Sequence, residues 1–273
     1  MAEQPQVRIV DAHVHLLPDR LSAAIRRFFP EPVATAMLYP HEPAAARKCL
    51  IAAGVKRCWS LPYVRREGAA PALNRWMAET FADDPIVVPG ATVHPADDVE
   101  GVLAEALDEL HLPVVKLHCS VGDYHPDDPR LDPLWHRVSR SGHPVVLHAG
   151  HAVNGTTAAA EIAPVARVAR RWPDARIIVA HCGALAVEAT LELLRGTRST
   201  YADLTPVVLH SAPIERAAIA GLERRLLFGS DAPNVAVAIE DSVAHIRALG
   251  LDAADEVAIL GGTADRLLAG GCA

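Results

Sequence analysis

Short runs of Val, Ile and Leu recur along the chain, and each is followed by a longer segment with helical spacing. Strands are predicted at 7–10, 55–61, 86–93, 113–118, 144–148, 176–181, 199–204 and 226–230. Between them, helices are predicted over 21–29, 43–53, 70–82, 134–141, 156–172, 186–194, 214–220 and 235–249, with one or two more between 255 and 268. Gly54 and Pro173 stop two of these helices, and Asp97-Asp98 can cap another that runs to about Leu110. The stretch from Asp123 to Pro133, rich in Asp and Pro, reads as a loop. Val145-Val146-Leu147 and Ile177-Ile178-Val179 are apolar on both faces, as strands of a buried parallel sheet must be.

Eight strand–helix units in a chain of 273 residues predict a closed (β/α)8 TIM barrel, a single domain over 1–273. An open doubly wound sheet is the alternative. It would usually place a glycine-rich phosphate loop after its first strand, where this chain carries His13-Val14-His15. No linker, repeat or low-complexity tract interrupts the pattern.

Composition narrows the class. Half of the residues (51%) are hydrophobic, with alanine prominent and aromatics only 4%, which suits helices packed over buried strands. A formal charge of -7 argues against a nucleic-acid backbone as partner. No apolar stretch is long enough to span a bilayer, and the first five residues lack the basic and apolar regions of a signal peptide. Cys49, Cys58, Cys119, Cys182 and Cys272 are scattered and odd in number, the pattern of free thiols in a cytoplasmic protein. A homodimer is the base-rate expectation for the assembly.

The chemistry sits where the predicted strands end. His13 and His15 project from one face after the first strand, a ready-made half of a metal site. His94 follows the third strand, Lys116 and His118 the fourth, His148 the fifth and His181 the sixth. Asp203 lies near the end of the seventh and Asp231 follows the eighth. A parallel barrel delivers all these ends to one rim, and polar groups after apolar strands are costly to bury unless paired or bound to metal. Tyr63 and Arg65 follow the second strand and can meet a substrate carboxylate or carbonyl. His94 reads as a turn residue before Pro95, and His151 as a loop histidine.

Asp11-Ala12-His13-Val14-His15, Val115-Lys116-Leu117-His118, Leu147-His148-Ala149-Gly150, Ala180-His181-Cys182-Gly183 and Phe228-Gly229-Ser230-Asp231-Ala232-Pro233 follow one another in order, one per strand. The ordered set resembles the amidohydrolase superfamily, in particular the amidohydrolase-related branch that also contains aminocarboxymuconate-semialdehyde decarboxylase and hydroxybenzoate-type decarboxylases. The resemblance implies one divalent metal held by His13, His15, His148 and Asp231, with His181 beside it as a proton-transfer or polarising group. Zn²⁺ is the first choice, and Mn²⁺, Fe²⁺ and Co²⁺ suit the same ligands. In binuclear relatives a carboxylated lysine bridges two metals, and Lys116 stands at that position. The preferred reading keeps one metal and makes Lys116 a cationic substrate contact, with His118, Arg65 and Tyr63 also on the substrate side.

The leading functional expectation is metal-dependent hydrolysis of a small ester, lactone or amide. Asp231 takes a proton from an activated water, and His181 polarises the carbonyl. The alternative is non-oxidative decarboxylation of a small carboxylic acid by the same metal. A catalytically silent binding barrel is the third reading. Neither the substrate nor the choice between hydrolysis and decarboxylation is written in the motifs, because specificity resides in the loops after the strands.

Overall fold

The computed structural model describes residues 7–150, 152–211 and 214–270. Cys272, His151 and the first five residues, each with an expectation attached above, lie outside the described residues. Eight parallel strands follow one another around a barrel in sequence order: β1 Ile9–Val14, β2 Val55–Ser60, β3 Val87–Thr92, β4 Val114–Leu117, β5 Val145–Leu147, β6 Ile177–Val179, β7 Thr200–Leu204 and β8 Leu226–Phe228. Each neighbouring pair from β1 to β8 forms a parallel ladder. The last seam, between β1 and the end of β8, is closed by a single bridge from Val14 to Ala232.

Alternation along the strands sorts the apolar side chains into two layers. Val10, Trp59, Leu61, Val88, Val114, Val146, Ile178 and Leu227 fill one cluster inside the barrel. Ala264, Leu267 and Leu268, from the C-terminal helix Thr263–Ala269, pack into the same cluster. They close the barrel floor, where Arg176 at the foot of β6 donates to the Leu267 carbonyl. The larger outer cluster lies between the strands and the surrounding helices and contains Val115, Leu117, Val145, Leu147 and Ile177 from the strands. Going up β4 and β5, the inward positions after Val114 and Val146 are Lys116, His118 and His148, so the polar rim continues the inner face of the strands.

Differences from the sequence pattern are local. The first strand extends to Val14, because register shifts against β2 absorb the change from apolar to polar positions, so His13 is a strand residue. The long connection after β1 holds a second helix, Glu31–Ala36, with Pro32 in its first turn. Within the Asp/Pro-rich stretch, Pro129–Leu131 forms a single helical turn, and the Trp135 indole donates to the Pro126 carbonyl at 2.8 Å to pin that stretch to the barrel wall. The helix predicted from Val235 begins at Ile239, whose amide donates to the Tyr39 hydroxyl. Asp98 caps the helix that starts at Val99 by accepting from the Gly101 amide. Cys49, Cys58, Cys119 and Cys182 are free thiols. Among the described residues, no helix is long and apolar enough to cross a membrane.

One helix–strand junction is tied by a single buried side chain. The Asn74 amide on helix Ala70–Phe81 donates to the Thr92 carbonyl and accepts from the Thr92 amide, both at 2.9 Å. Asn74→Ala leaves both groups at the top of β3 buried without partners, at a cost of about 2–4 kcal/mol. A matching fall in the urea midpoint, with unchanged slope, is the expected result.

Candidate metal centre

Where β1 ends, two imidazoles are held by their outer nitrogens. His13 Nδ1 donates to Asp203 Oδ2 on β7 at 2.9 Å, and His15 Nδ1 donates to the Leu61 carbonyl after β2 at 2.8 Å. Those bonds fix the tautomer of both rings and leave each Nε2 with its lone pair toward the rim. Asp231 Oδ1 lies 3.1 Å from His15 Nε2 and 3.7 Å from His13 Nε2. Donors about 2.1 Å from a shared ion, at angles between octahedral and tetrahedral, stand roughly 3.0–3.4 Å apart. The His15–Asp231 spacing falls in that range and the His13–Asp231 spacing is a few tenths of an ångström wider, so the three form a group that could hold a divalent metal. The donor set of two neutral nitrogens and a carboxylate oxygen fits such an ion chemically.

The backbone reaches this arrangement through unusual conformations. Asp231 is in the left-handed region (φ 60°), which turns its carboxylate in from the end of β8. After β6, His181, Cys182, Gly183 and Ala184 are all left-handed. Non-glycine residues there cost about 1–3 kcal/mol each and concentrate at functional sites. The His181 amide donates to Asp203 Oδ1 at 2.7 Å, so one buried carboxylate holds both His13 and the turn that carries His181.

His148 and His181 meet each other. His181 Nε2 is 3.2 Å from His148 Nδ1, and His181 Nδ1 is 2.8 Å from the Thr205 hydroxyl. His148 lies outside the three-donor group of His13, His15 and Asp231, and His181 shares a second group with His13 and Asp203. The His148 ring stacks on His118 with centroids 3.7 Å apart, and Tyr63 packs against His118 at 4.8 Å and His15 at 5.4 Å. The turns after β5 and β6 touch through their glycines: a Cβ on Gly150 would sit 2.1 Å from the Gly183 carbonyl. Glu161 on helix Ala158–Arg171 accepts from the Gly150 amide and secures the first of these turns.

Lys116 is fully buried, and its Nζ donates to His13 Nε2 at 3.3 Å. Burial pulls its ammonium down to about 8, against the attraction of Asp203 and Asp231. Burial pushes the Asp203 carboxyl up to about 7, opposed by Lys116. Burial first, then Lys116, hold His13 far below the ordinary imidazole range; burial, then His148 and Lys116, do the same for His118. Neutral imidazole is the form a metal requires.

The structure thus brings His13, His15, Lys116, His118, His148, His181, Asp231 and Tyr63 to one rim. Arg65 is exposed in the loop after β2, and among the described residues no hydrogen bond or ion pair ties it to the cluster. His94 is a turn residue whose Nδ1 accepts from the Ala96 amide. Asp203 was legible as a polar residue near the end of the seventh strand, but not as the support of His13 and His181, and nothing in the sequence singled out Thr205 or Glu161.

A family model described as amidohydrolase matches residues 10–269. The chain belongs to the amidohydrolase family. No curated protein matches the sequence. Among solved structures, an uncharacterized TIM-barrel protein from Bordetella bronchiseptica is similar at 22% identity and TM-score 0.75, covering 97% of this chain and 99% of its own. A 5-carboxyvanillate decarboxylase from Novosphingobium aromaticivorans, complexed with manganese and 4-hydroxy-3-methoxy-5-nitrobenzoic acid, is similar at 14% identity and TM-score 0.74, with 98% and 97% covered. A dihydroxybenzoic acid decarboxylase from a Polaromonas species, with bound manganese and the inhibitor 2-nitroresorcinol, is similar at 14% identity and TM-score 0.71, with 98% covered in each. At these identities the likeness establishes the barrel fold of this amidohydrolase.

Metal binding to the folded chain alone must raise its stability. At a hundredfold excess over the dissociation constant the gain is about 2.7 kcal/mol, or roughly 5–10 °C for a chain of this size. Mn²⁺ or Zn²⁺ added to chelator-treated protein is expected to produce that rise in a melting curve, and His15→Ala to abolish most of it.

Proposed function

We propose that this amidohydrolase is a metal-dependent enzyme that removes CO₂ from a small aromatic carboxylic acid without oxidation. The reading rests chiefly on Lys116. One lone pair on His13 cannot serve both an ammonium and a metal ion. Occupancy by a metal therefore leaves Lys116 as a buried cation in want of an anion, and a substrate carboxylate is the simplest one. The manganese-containing decarboxylases of similar fold, which carry ligands of the nitrobenzoic acid and resorcinol types, favour the same reaction class. Planar rings for an aromatic body come from His118, His148 and Tyr63, so the low aromatic content of the chain is no obstacle.

His13, His15 and Asp231 are the metal donors in this reading, with His148 completing the set by turning from His181. A divalent cation there supplies Lewis-acid polarisation of the oxygens of the bound acid. Lys116 orients the carboxylate. The bond between the ring carbon and the carboxyl carbon breaks, its electron pair stays on the ring carbon, and CO₂ departs. That carbon takes a proton from His181 Nε2, and His181, braced at Nδ1 by Thr205, regains one from solvent. Hydrolysis is the second reading. It is favoured by Asp231, more open than His13 and His15 at 20% side-chain exposure, which suits a base acting on water.

The direct test is the metal-loaded enzyme on a panel of hydroxylated benzoic acids and of esters, lactones and amides. CO₂ is followed by mass spectrometry and acid release by titration. CO₂ in proportion to substrate consumed is the expected outcome; acid release without CO₂ moves the assignment to hydrolysis. Lys116→Met is expected to lower kcat/KM for the acid by about 30- to 1,000-fold, the cost of leaving a buried carboxylate unpaired. His181→Ala is expected to lower kcat by about 10²–10⁴ with little change in metal content.

A further inference from the structure

Three metal donors hang on the one seam of the barrel that has no ladder. Across that seam β1 and β8 share only the Val14–Ala232 bridge, and β1 is itself out of register with β2 between Asp11 and Val14. The relative placement of His13, His15 and Asp231 must therefore come from individual hydrogen bonds. Asp231 N donates to the His13 carbonyl at 2.8 Å, and His15 N to the Ala232 carbonyl at 2.7 Å. Ala232 N donates to the Ser230 hydroxyl at 3.1 Å.

The remaining tie comes from Asp11, fully buried two residues before His13. Its Oδ1 accepts from the His13 amide at 3.1 Å and from the Ser230 amide at 2.9 Å. One oxygen thus grips the residue before Asp231 and the first imidazole ligand together. The Asp11 carboxyl also interacts with the Ser230 side chain, so its contacts to Ser230 and to His13 lie on opposite sides of the seam. Close packing removes slack, since a Cβ on Gly229 would lie 2.7 Å from His13 Cβ.

We propose that Asp11 is a positioning residue that sets the spacing of His13, His15 and Asp231 across the open seam and thereby the affinity of the site for a divalent cation. It touches neither metal nor substrate. The inference rests on the metal reading above, and the experiment separates the two.

Mn²⁺ affinity is measured by competition with a chromophoric chelator for the wild type, Asp11→Ala, Asp11→Asn and Asn74→Ala, well below the melting temperature of each. The wild type is expected to bind Mn²⁺, and Asp11→Ala to bind it about 10- to 100-fold more weakly, the usual effect of losing support behind a ligand. Asp11→Asn keeps an oxygen that can accept both amides and is expected to stay within about threefold of wild type. Asn74→Ala, destabilised at β3 and away from the β1–β8 seam, is expected to keep wild-type affinity, so that a loss of stability alone does not account for a loss of affinity. Should Asp11→Ala fail to fold, Asp11→Ser replaces it: its hydroxyl is too short to reach the Ser230 amide, and the same loss is expected. Wild-type affinity in Asp11→Ala or Asp11→Ser, or an Asp11→Asn value as low as theirs, overturns the inference. A wild type that takes up no Mn²⁺ or Zn²⁺ overturns the metal reading itself.

Discussion

Asp203 is a carboxylate with no access to water, and an isolated buried charge of that kind is among the most expensive features a fold can hold. It is tolerated because both oxygens are engaged. One accepts from the His13 ring and the other from the His181 amide, while the Lys116 ammonium opposes the upward push of burial on its ionisation. The consequence runs outward from that pairing. Asp203 fixes which nitrogen of His13 carries the proton, and so which nitrogen faces the rim. It also holds the left-handed turn that swings His181 inward. With an apolar residue in place of Asp203, the His13 ring would lose the partner that orients it and the turn carrying His181 would lose its tie to β7.

The strands explain why such a group can be assembled from residues so far apart in the chain. Parallel strands joined by helices bring every strand end to one side, and the apolar lower halves of those strands pack into a dry interior floored by the C-terminal helix. That packing is what offsets the cost of the polar upper half. The left-handed residues at 181, 182, 184 and 231 are the visible expense beside the cluster, and His111 and Asp123 are left-handed as well. The β1–β8 seam is a further irregular place, and it lies directly beside the chemistry.

Most of the architecture was legible because two periodicities carry it. Alternation within short apolar runs marks strands, and 3.6-residue spacing marks helices, so all eight strands were placed within a few residues. The candidate donors were legible because polar residues directly after buried runs such as Val145-Val146-Leu147 have few other reasons to be there. What escaped detection has no such contrast. The supporting roles of Asp203 and Thr205 escaped, since a sequence does not say which way a strand-end side chain points. Glu161 was invisible because its partner, the Gly150 amide, lies in a different unit of the fold. The pairing of His148 with His181, and the exposure of Arg65, depend on loop geometry that no local pattern encodes.

The two reactions considered for this amidohydrolase differ in what balances the charge of the site. A divalent cation and the Lys116 ammonium together exceed the two carboxylates, Asp203 and Asp231, by one positive charge when both are ionised and Asp11, whose carboxyl burial pushes up to about 7, is neutral. Buried surroundings demand one compensating anion. In hydrolysis of a neutral ester or amide that anion is hydroxide, generated anew in each cycle. In decarboxylation it is the substrate itself, which brings its charge in and gives up the carboxylate only as neutral CO₂, the proton coming from a histidine already at the rim. The Lys116 ammonium, pulled down to about 8 by burial, is a suitable neighbour for a substrate carboxylate, a far weaker base that stays ionised beside it. That complementarity of charge, set by the position of Lys116, is the physical ground on which the proposed reading takes an acid as substrate.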